Sequence, residues 1–389
     1  MPRARAAGVV LAVALGARLL PILLADRMAA DIVRYHKIAS YVLDVDWNPY
    51  TSHGLYPYPP VWIGFEVAAE WLARHTGLPF PVLVKVPVLA ADLAIVWVLQ
   101  AWPGAGLRAA WLYALHPVSL LITGFHGQFD SLMLLALLLT ILWRDAGRLD
   151  ASALALAAAI GLKTLPVLLL PLFLIGLAPA RVRLRYALLA SAPVGLSLVP
   201  FALDDAQGVV RELGAYGGVA DFGWIAFDRG LLWLRSGVLP RSEARFWGLL
   251  VPTAKVLFLL VYAWLVFALR ARRLRLTTSD AALAVLLAFV TLYGAISAQY
   301  LVWVVPFAAL RPDRYFVAYS ATATAALVGF YAFLQPGVLA IPAWATASRV
   351  AGGLWLAGLS ALLFAGAFWL DALLRLGRQA AQDAGSPQG

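Results

Sequence analysis

The chain of 389 residues lacks cysteine altogether and is poor in charged side chains. The absence of cysteine excludes a disulfide framework and any metal site built from thiolates. Only 13% of the residues are Asp, Glu, Lys or Arg, whereas the surface of a soluble domain requires roughly 25%. No polar stretch is long enough to build a separate soluble domain, so the composition excludes a soluble globular protein.

Long apolar runs fill most of the chain, which is 63% hydrophobic with a mean hydropathy of +0.83. Because about 20 apolar residues cross a bilayer as a helix, the sequence predicts an all-α polytopic membrane protein with about 12 spans. These spans are expected near 8–25, 82–100, 109–125, 130–143, 150–163, 164–178, 185–203, 246–269, 281–297, 299–310, 314–333 and 349–371. One domain is predicted over residues 1–378, with a disordered cytoplasmic tail at 379–389.

The distribution of basic residues predicts the orientation. The net charge of +10 comes from short arginine clusters between apolar runs, a pattern typical of cytoplasmic loops in contact with anionic lipid rather than of nucleic-acid binding. The turns near 126–130, 298 and 334–348 carry no Lys or Arg. We therefore expect a multi-pass protein of the cell membrane with both termini cytoplasmic, and with segments 26–81 and 204–245 extracytoplasmic.

The first of these segments is predicted to contain two helices. Residues 31–43 are amphipathic, and residues 59–74 open with prolines, which suit the first turn of a helix. Both are expected to lie in the membrane interface. The rigid stretch around Tyr56 and Tyr58 serves either as an aromatic anchor or as a wall for a sugar or lipid, and the two roles are compatible.

Asp31, just beyond the first span, is the leading candidate for acid–base chemistry. Its alternative role is a helix N-cap, because Asp at a helix start commonly accepts backbone N–H bonds. Asp44 and Asp46 compete for an acidic role, although turn chemistry before Asn48-Pro49 explains them well.

Polar residues also interrupt the apolar runs at three later points. Segment 124–131 contains several hydrogen-bonding groups, which are costly at membrane depth unless they face a cavity or one another. Segment 297–303 places Gln and Tyr between two spans. Lys163 stands near mid-membrane, and its expected partner is either Asp92 or a bound phosphate. By the predicted orientation these points converge on one extracytoplasmic side.

No soluble catalytic motif competes with these residues. There is no Gly-rich phosphate loop, no Gly-x-Ser-x-Gly elbow and no His-Glu-x-x-His motif. The five histidines are dispersed along the chain, so the sequence does not support a metal site with histidine ligands. No cofactor is expected.

Several short blocks resemble the GT-C glycosyltransferases, integral membrane enzymes that take a sugar from a polyprenyl-phosphate carrier. The first loop resembles that of the GPI mannosyltransferase and of bacterial mannosyltransferases, and the later blocks resemble glucosyltransferases that use dolichyl-phosphate glucose. In place of the second acid that often follows the first in this family, the chain has Val33. The blocks are Asp31-Ile32 with Tyr35, Asn48-Pro49-Tyr50, Tyr58-Pro59-Pro60, Lys85 with Ala91-Asp92-Leu93, His126 to Asp130, Lys163, and Ser297 to Trp303.

The resemblance implies a GT-C-type helical bundle and a monomeric inverting enzyme without a metal, with Asp31 as the catalytic base. A hexose, with mannose favoured, would move from a polyprenyl-phosphate carrier to a glycan or glycolipid acceptor. A phosphate leaving group needs nearby cations rather than a second carboxylic acid. The candidates for binding the donor phosphate are Lys163, Arg34, His36, Arg229 and His126. The candidates for binding the sugar or acceptor are Tyr35, Tyr56, Tyr58, Gln128, Asp130, Trp224, Gln299 and Tyr300.

Three other functions remain open. A transporter or flippase of lipid-linked sugars would have charged residues distributed through the membrane. Here they cluster on one side of the membrane, apart from Arg18, Asp92 and Lys255. A lipid-linked oligosaccharide ligase uses a diphosphate carrier and would need several paired arginines. A structural scaffold leaves the proline-rich aromatic loop unexplained.

Overall fold

The structure is a computed structural model that describes residues 2–24, 29–214, 219–239, 247–335 and 349–384. Helices account for nearly all of this part of the chain, and a single bridge between Phe222 and Ile296 is its only β-type pairing. The prediction of an all-α protein is therefore confirmed.

The helices follow one another with short connections. In the first half of the chain they are α1 (Pro2–Leu24), α2 (Ala30–Asp44), α3 (Val61–Thr76), α4 (Phe80–Leu83), α5 (Val86–Ala101), α6 (Gly106–Ala114), α7 (Pro117–Ser119), a π-helix (Leu120–His126), α8 (Asp130–Asp145), α9 (Leu149–Leu162) and α10 (Leu170–Leu174). In the second half they are α11 (Ala180–Gly214), α12 (Trp224–Ser236), α13 (Trp247–Arg270), α14 (Thr278–Leu292), α15 (Val305–Leu310), α16 (Arg314–Leu334) and α17 (Arg349–Asp383). Short 3₁₀-helices occupy Pro49–Thr51, Leu165–Leu169 and Ala298–Val302.

Two compact units divide the chain, whereas the sequence predicts one domain over residues 1–378. The first unit comprises Met1–Leu115, Ser119–Leu170 and Leu177–Tyr216. The second comprises His116–Val118, Pro171–Gly176 and Gly217–Gly389.

Within the part of the chain that the structure describes, six helices are long and apolar enough to cross a membrane. They are Arg5–Leu23, Phe80–Ala101, Ala180–Gly214, Gly248–Arg270, Arg314–Leu334 and Arg349–Asp383. The other predicted spans form shorter helices; the one expected at 109–125, for example, is interrupted between Ala114 and Pro117. The prediction of a helical membrane protein is thus supported, but the count of about 12 spans is not reached by helices of spanning length.

The C-terminal helix is longer than expected. The sequence predicts a disordered tail from residue 379, whereas α17 continues to Asp383. Residues 385–389 of that predicted tail lie outside the described residues.

The two helices predicted in the first loop are present as α2 and α3. Pro60 stands at the N-cap of α3, and Gly77, with φ at +73°, ends the helix. Polar side chains join the two helices: Arg74 on α3 contacts Asp44 on α2 through two 2.7 Å hydrogen bonds. The Asp46 carboxylate accepts the Asn48 N–H at 3.1 Å, so the turn predicted at these acids is confirmed.

A buried polar network lies between α1, α5 and the π-helix of the first unit. Arg18 forms an ion pair with Asp92, and both side chains are almost completely inaccessible. The Asp92 carboxylate also accepts hydrogen bonds from the hydroxyl groups of Tyr113, Thr123 and Ser131. Because protein groups satisfy both charges, this network serves to hold the helices together.

Candidate functional site

The turn His126–Gly127–Gln128 follows the π-helix Leu120–His126, and it brings two polar side chains to one point. Gly127 has φ at +82°, a conformation that side chains rarely adopt, and a Cβ atom there would collide with Cε of Lys85. Glycine therefore permits the tight reversal that lets His126 and Gln128 face the same partner. π-Helical turns often occur at functional sites.

That partner is Asp31, near the start of α2. His126 Nε2 lies 2.8 Å from Asp31 Oδ2, and the Gln128 amide donates to the same oxygen. The hydroxyl of Tyr35 donates to Gln128 Oε1 at 2.8 Å, which turns the amide nitrogen toward Asp31. The other carboxylate oxygen, Oδ1, accepts no hydrogen bond from the described part of the chain.

The N-cap interpretation of Asp31 is wrong. Ala29 is the N-cap residue of α2, and no side chain caps that helix end. Burial by itself raises the pKa of Asp31, but the hydrogen bond and charge of His126, with the charges of Arg34 and Lys163, bring that pKa below its ordinary value. About a quarter of the side chain is exposed, so Asp31 is an accessible carboxylate at neutral pH.

Lys163, at the C-cap of α9, has a partner that neither sequence alternative included. Its Nζ atom lies 2.8 and 2.9 Å from the two oxygens of Asp130, and both side chains are buried. The prediction of a pair with Asp92 is wrong, because Asp92 binds Arg18. The Asp130 carboxylate is thus bound by a lysine, and its role in binding a sugar stays a prediction.

An aromatic wall stands beside this ion pair. Phe129 stacks on Trp62 with ring centroids 4.5 Å apart, and Tyr58 meets Phe129 edge-on at 5.0 Å. Lys163 Nζ lies 4.7 Å from the centroid of Phe129. Tyr58 remains partly exposed, as a ring that contacts a sugar must be.

Two other first-loop residues have structural partners. The hydroxyl of Tyr56, which is fully buried, donates to the Pro59 carbonyl at 2.9 Å and accepts the Ile63 N–H at 2.8 Å. His36 lies 3.1 Å from Glu70. These contacts give Tyr56 and His36 partners within the loop itself. The roles expected of them, binding a sugar and a phosphate, gain no support from these contacts.

Arg34 differs from them, because it is exposed one helical turn after Asp31 and has no carboxylate within ion-pair distance among the described residues. Residues three apart share one face of a helix. Arg34 is therefore the cation beside Asp31 that remains accessible to an anion.

The remaining predicted residues belong to the second unit. Trp224 donates its indole N–H to the Thr291 carbonyl at 2.9 Å, and Arg229 donates to the Ala220 carbonyl at 2.5 Å. Gln299 is buried, and Tyr300 lies 4.4 Å from Trp303 between ring centroids. These contacts hold the second unit together; a role of the four residues in binding a sugar or phosphate stays a prediction.

Sequence reasoning missed Glu66, which lies on α3 one turn after Trp62. Its side chain is inaccessible, and neither carboxylate oxygen has a hydrogen-bond partner among the described residues. Burial raises its pKa well above the ordinary value, which favours the neutral acid over the carboxylate. A single acid within the apolar stretch 61–69 is the signal that could have identified it.

Lys85 also received no role from the sequence beyond its part in the family motif. Its Nζ atom donates to the carbonyl oxygens of Gly124 and Phe125 at 3.2 and 2.9 Å. These carbonyls end the π-helix, where a cation is favourable. Lys85 thus supports the turn that presents His126.

No cluster of three or more metal-binding side chains occurs within the residues that the structure describes. No protein-family model matches the chain, and no curated protein sequence matches it. The resemblance to GT-C enzymes therefore stays a prediction carried by the short motifs.

Proposed function

We propose that this chain is a membrane glycosyltransferase that moves a hexose from a polyprenyl-phosphate carrier to a hydroxyl of a glycan or glycolipid. The observation that carries the proposal is the arrangement of Asp31. Two side chains of one turn hold its Oδ2 atom, while Oδ1 is without a hydrogen bond from the described residues and the side chain is partly exposed. Such a carboxylate is oriented to accept a proton from a bound hydroxyl group.

In the proposed reaction the acceptor hydroxyl attacks the anomeric carbon of the donor sugar. The new C–O bond forms as the bond between that carbon and the phosphate oxygen breaks, so the configuration inverts. The acceptor proton passes to Asp31 Oδ1, and the electron pair of the broken bond leaves with the polyprenyl phosphate. The lowered pKa keeps the Asp31 carboxylate ionised at neutral pH, so it is ready to accept the proton that the hydroxyl loses as its bond to the sugar forms.

The leaving phosphate requires positive charge close to the reacting carbon. Arg34 is an exposed cation one turn after Asp31 on α2, so it lies on the same helix face as Asp31. Lys163 adds positive potential, although Asp130 already neutralises much of its charge. Tyr58, which is partly exposed and packs edge-on against Phe129, would provide apolar surface for the sugar ring.

The transporter alternative receives less support. Arg18 and Asp92 form a buried ion pair in the first unit, and the hydroxyl groups of Tyr113, Ser119, Thr123 and Ser131 surround it. A transport path would need such charges to face a cavity. We therefore favour transfer chemistry at a GT-C-type site on the extracytoplasmic side, with both termini cytoplasmic and about 12 membrane crossings, some of them by short helices.

The proposal is tested by reconstituting the full chain with short-chain polyprenyl-phosphate mannose and, separately, polyprenyl-phosphate glucose, and following release of the sugar. Asp31→Asn keeps the size of the side chain and removes its basicity, so turnover should fall by about 10²-fold or more. Asp44→Asn is the matched control on the same helix and should retain turnover, since Asp44 pairs with Arg74. Full activity of a stable Asp31→Asn protein would contradict the assignment of the base.

A further inference from the structure

The end of α13 has an unusual backbone. After Arg270 the chain reverses, with the N–H of Arg273 bound to the Ala268 carbonyl at 2.9 Å. Arg272 takes the left-handed conformation at φ +56°, where glycine is the usual residue. Arg272 lines a cavity at this helix end, and strain of this kind commonly accompanies a binding role.

The reversal is held against α17. The N–H of Arg275 donates to the Gly377 carbonyl at 2.9 Å. A Cβ atom at Gly377 would come within 2.5 Å of the Leu274 side chain, so glycine permits the close approach. Arg378, the next residue on α17, is thereby fixed near the arginines of the turn.

A cavity of about 470 Å³ opens between these two segments, and three arginines line it. Arg273 lies over the ring of Phe267 at 5.4 Å, and Arg378 lies over the ring of Trp264 at 5.5 Å. No acidic residue lines the cavity. None of these three arginines forms an ion pair within the described part of the chain. Three guanidinium groups around one cavity match the oxygens of a phosphate.

An exposed apolar surface on α13 adjoins the cavity, and it favours a lipid as the molecule that carries the phosphate. Leu260 and Phe267, on the same apolar helix, are 64% and 55% exposed. Trp264 lies between them, and tryptophan is enriched where a membrane meets water. We propose that the cavity binds the phosphate of an anionic phospholipid, with an acyl chain lying along Leu260 and Phe267 of α13. The arginine-rich turn predicts the cytoplasmic leaflet.

This inference does not rest on the proposed transfer reaction, and its test measures only binding. Full-length protein in detergent micelles is titrated with phosphatidylglycerol or with phosphatidylcholine of identical acyl chains, and bound lipid is counted by native mass spectrometry. The wild type should retain phosphatidylglycerol preferentially. The triple variant R272Q/R273Q/R378Q should bind it roughly a hundredfold more weakly, because each arginine near a lipid phosphate contributes to binding.

A matched control removes the same charge elsewhere. Arg108, Arg181 and Arg183 are exposed, belong to the first unit and are predicted on the same face of the membrane. The variant R108Q/R181Q/R183Q should bind phosphatidylglycerol as the wild type does. Equal losses in the two triple variants would mean that net charge alone attracts the lipid, and would overturn the proposal.

A competition experiment distinguishes a lipid from a soluble anion. Excess inorganic phosphate should leave phosphatidylglycerol bound, because the acyl chain contributes contacts along α13. Displacement of the lipid by phosphate would assign the cavity to a soluble anion and overturn the lipid proposal. Unchanged melting temperatures in both triple variants would show that the comparison is made between folded proteins.

Discussion

His126 Nε2 lies 2.8 Å from Asp31 Oδ2, although 95 residues separate the two in the chain. The contact joins the start of α2 to the turn after the π-helix. It leaves one oxygen of the carboxylate available and lowers the pKa of Asp31 despite burial. The two residues therefore form the centre of the proposed site, and the first prediction concerns their coupling.

Substitution His126→Ala should raise the pKa of Asp31, because the hydrogen bond and charge of His126 lower it. The base must be ionised to act, so the acidic limb of the pH profile of kcat/KM should move to higher pH. The control His36→Ala removes a histidine that contacts Glu70 instead and should leave this limb in place. An acidic limb that stays in place in His126→Ala would refute the coupling.

Removal of Lys163 should destabilise the protein through Asp130. Breaking a buried ion pair at one partner costs about 3–5 kcal/mol, since the other charge remains buried. Lys163→Met should therefore lower the melting temperature, and the second change Asp130→Asn should restore most of it. Asp92→Asn in the same background is the contrast and should not restore it, because Asp92 binds Arg18.

The same variants separate a structural role of Lys163 from a role in phosphate binding. If the pair with Asp130 is its whole function, the double variant Lys163→Met with Asp130→Asn should bind the polyprenyl-phosphate donor as tightly as the wild type. A stable double variant with weakened donor binding would assign Lys163 a part in holding the phosphate.

Glu66 should make the protein less stable as the pH rises. Its pKa in the folded protein is raised well above the unfolded value of 4.5, so the unfolded chain releases the proton first. Stability is therefore greatest below that unfolded value and declines as the pH rises toward the folded pKa. Glu66→Gln keeps the neutral form and should flatten this decline, which melting temperatures across a pH series would measure.

The control for Glu66 lies one turn further along α3. Glu70→Gln loses the ion pair with Arg74, so it should lower the melting temperature at neutral pH. A Glu66→Gln protein with the same pH dependence as the wild type would show that Glu66 does not titrate as proposed.

The predicted orientation can be tested by cysteine labelling, because the chain has no cysteine. His75, at the end of α3, and Ala146, between α8 and α9, are exposed. His75→Cys should react with an impermeant maleimide added to intact cells, whereas Ala146→Cys should react only after the membrane is opened. The reverse pattern would place α3 on the cytoplasmic side.

The sequence by itself determined the helical membrane class and the two helices of the first loop. Low charge and long apolar runs require a lipid environment. Pro60 and Gly77 set the ends of α3, because proline suits a helix start and glycine adopts the left-handed conformation at its end. These features depend on neighbouring residues, so they can be predicted without the tertiary structure.

Only the tertiary structure decided how the charged residues pair and how long the apolar helices are. Lys163 binds Asp130, and Asp92 binds Arg18 across 74 residues. The energy of such pairs depends on separations of a few ångströms that helix packing sets. The tertiary structure likewise brought His126 and Gln128, at the turn of Gly127, to the carboxylate of Asp31. A local sequence pattern cannot report a partner that is distant in the chain.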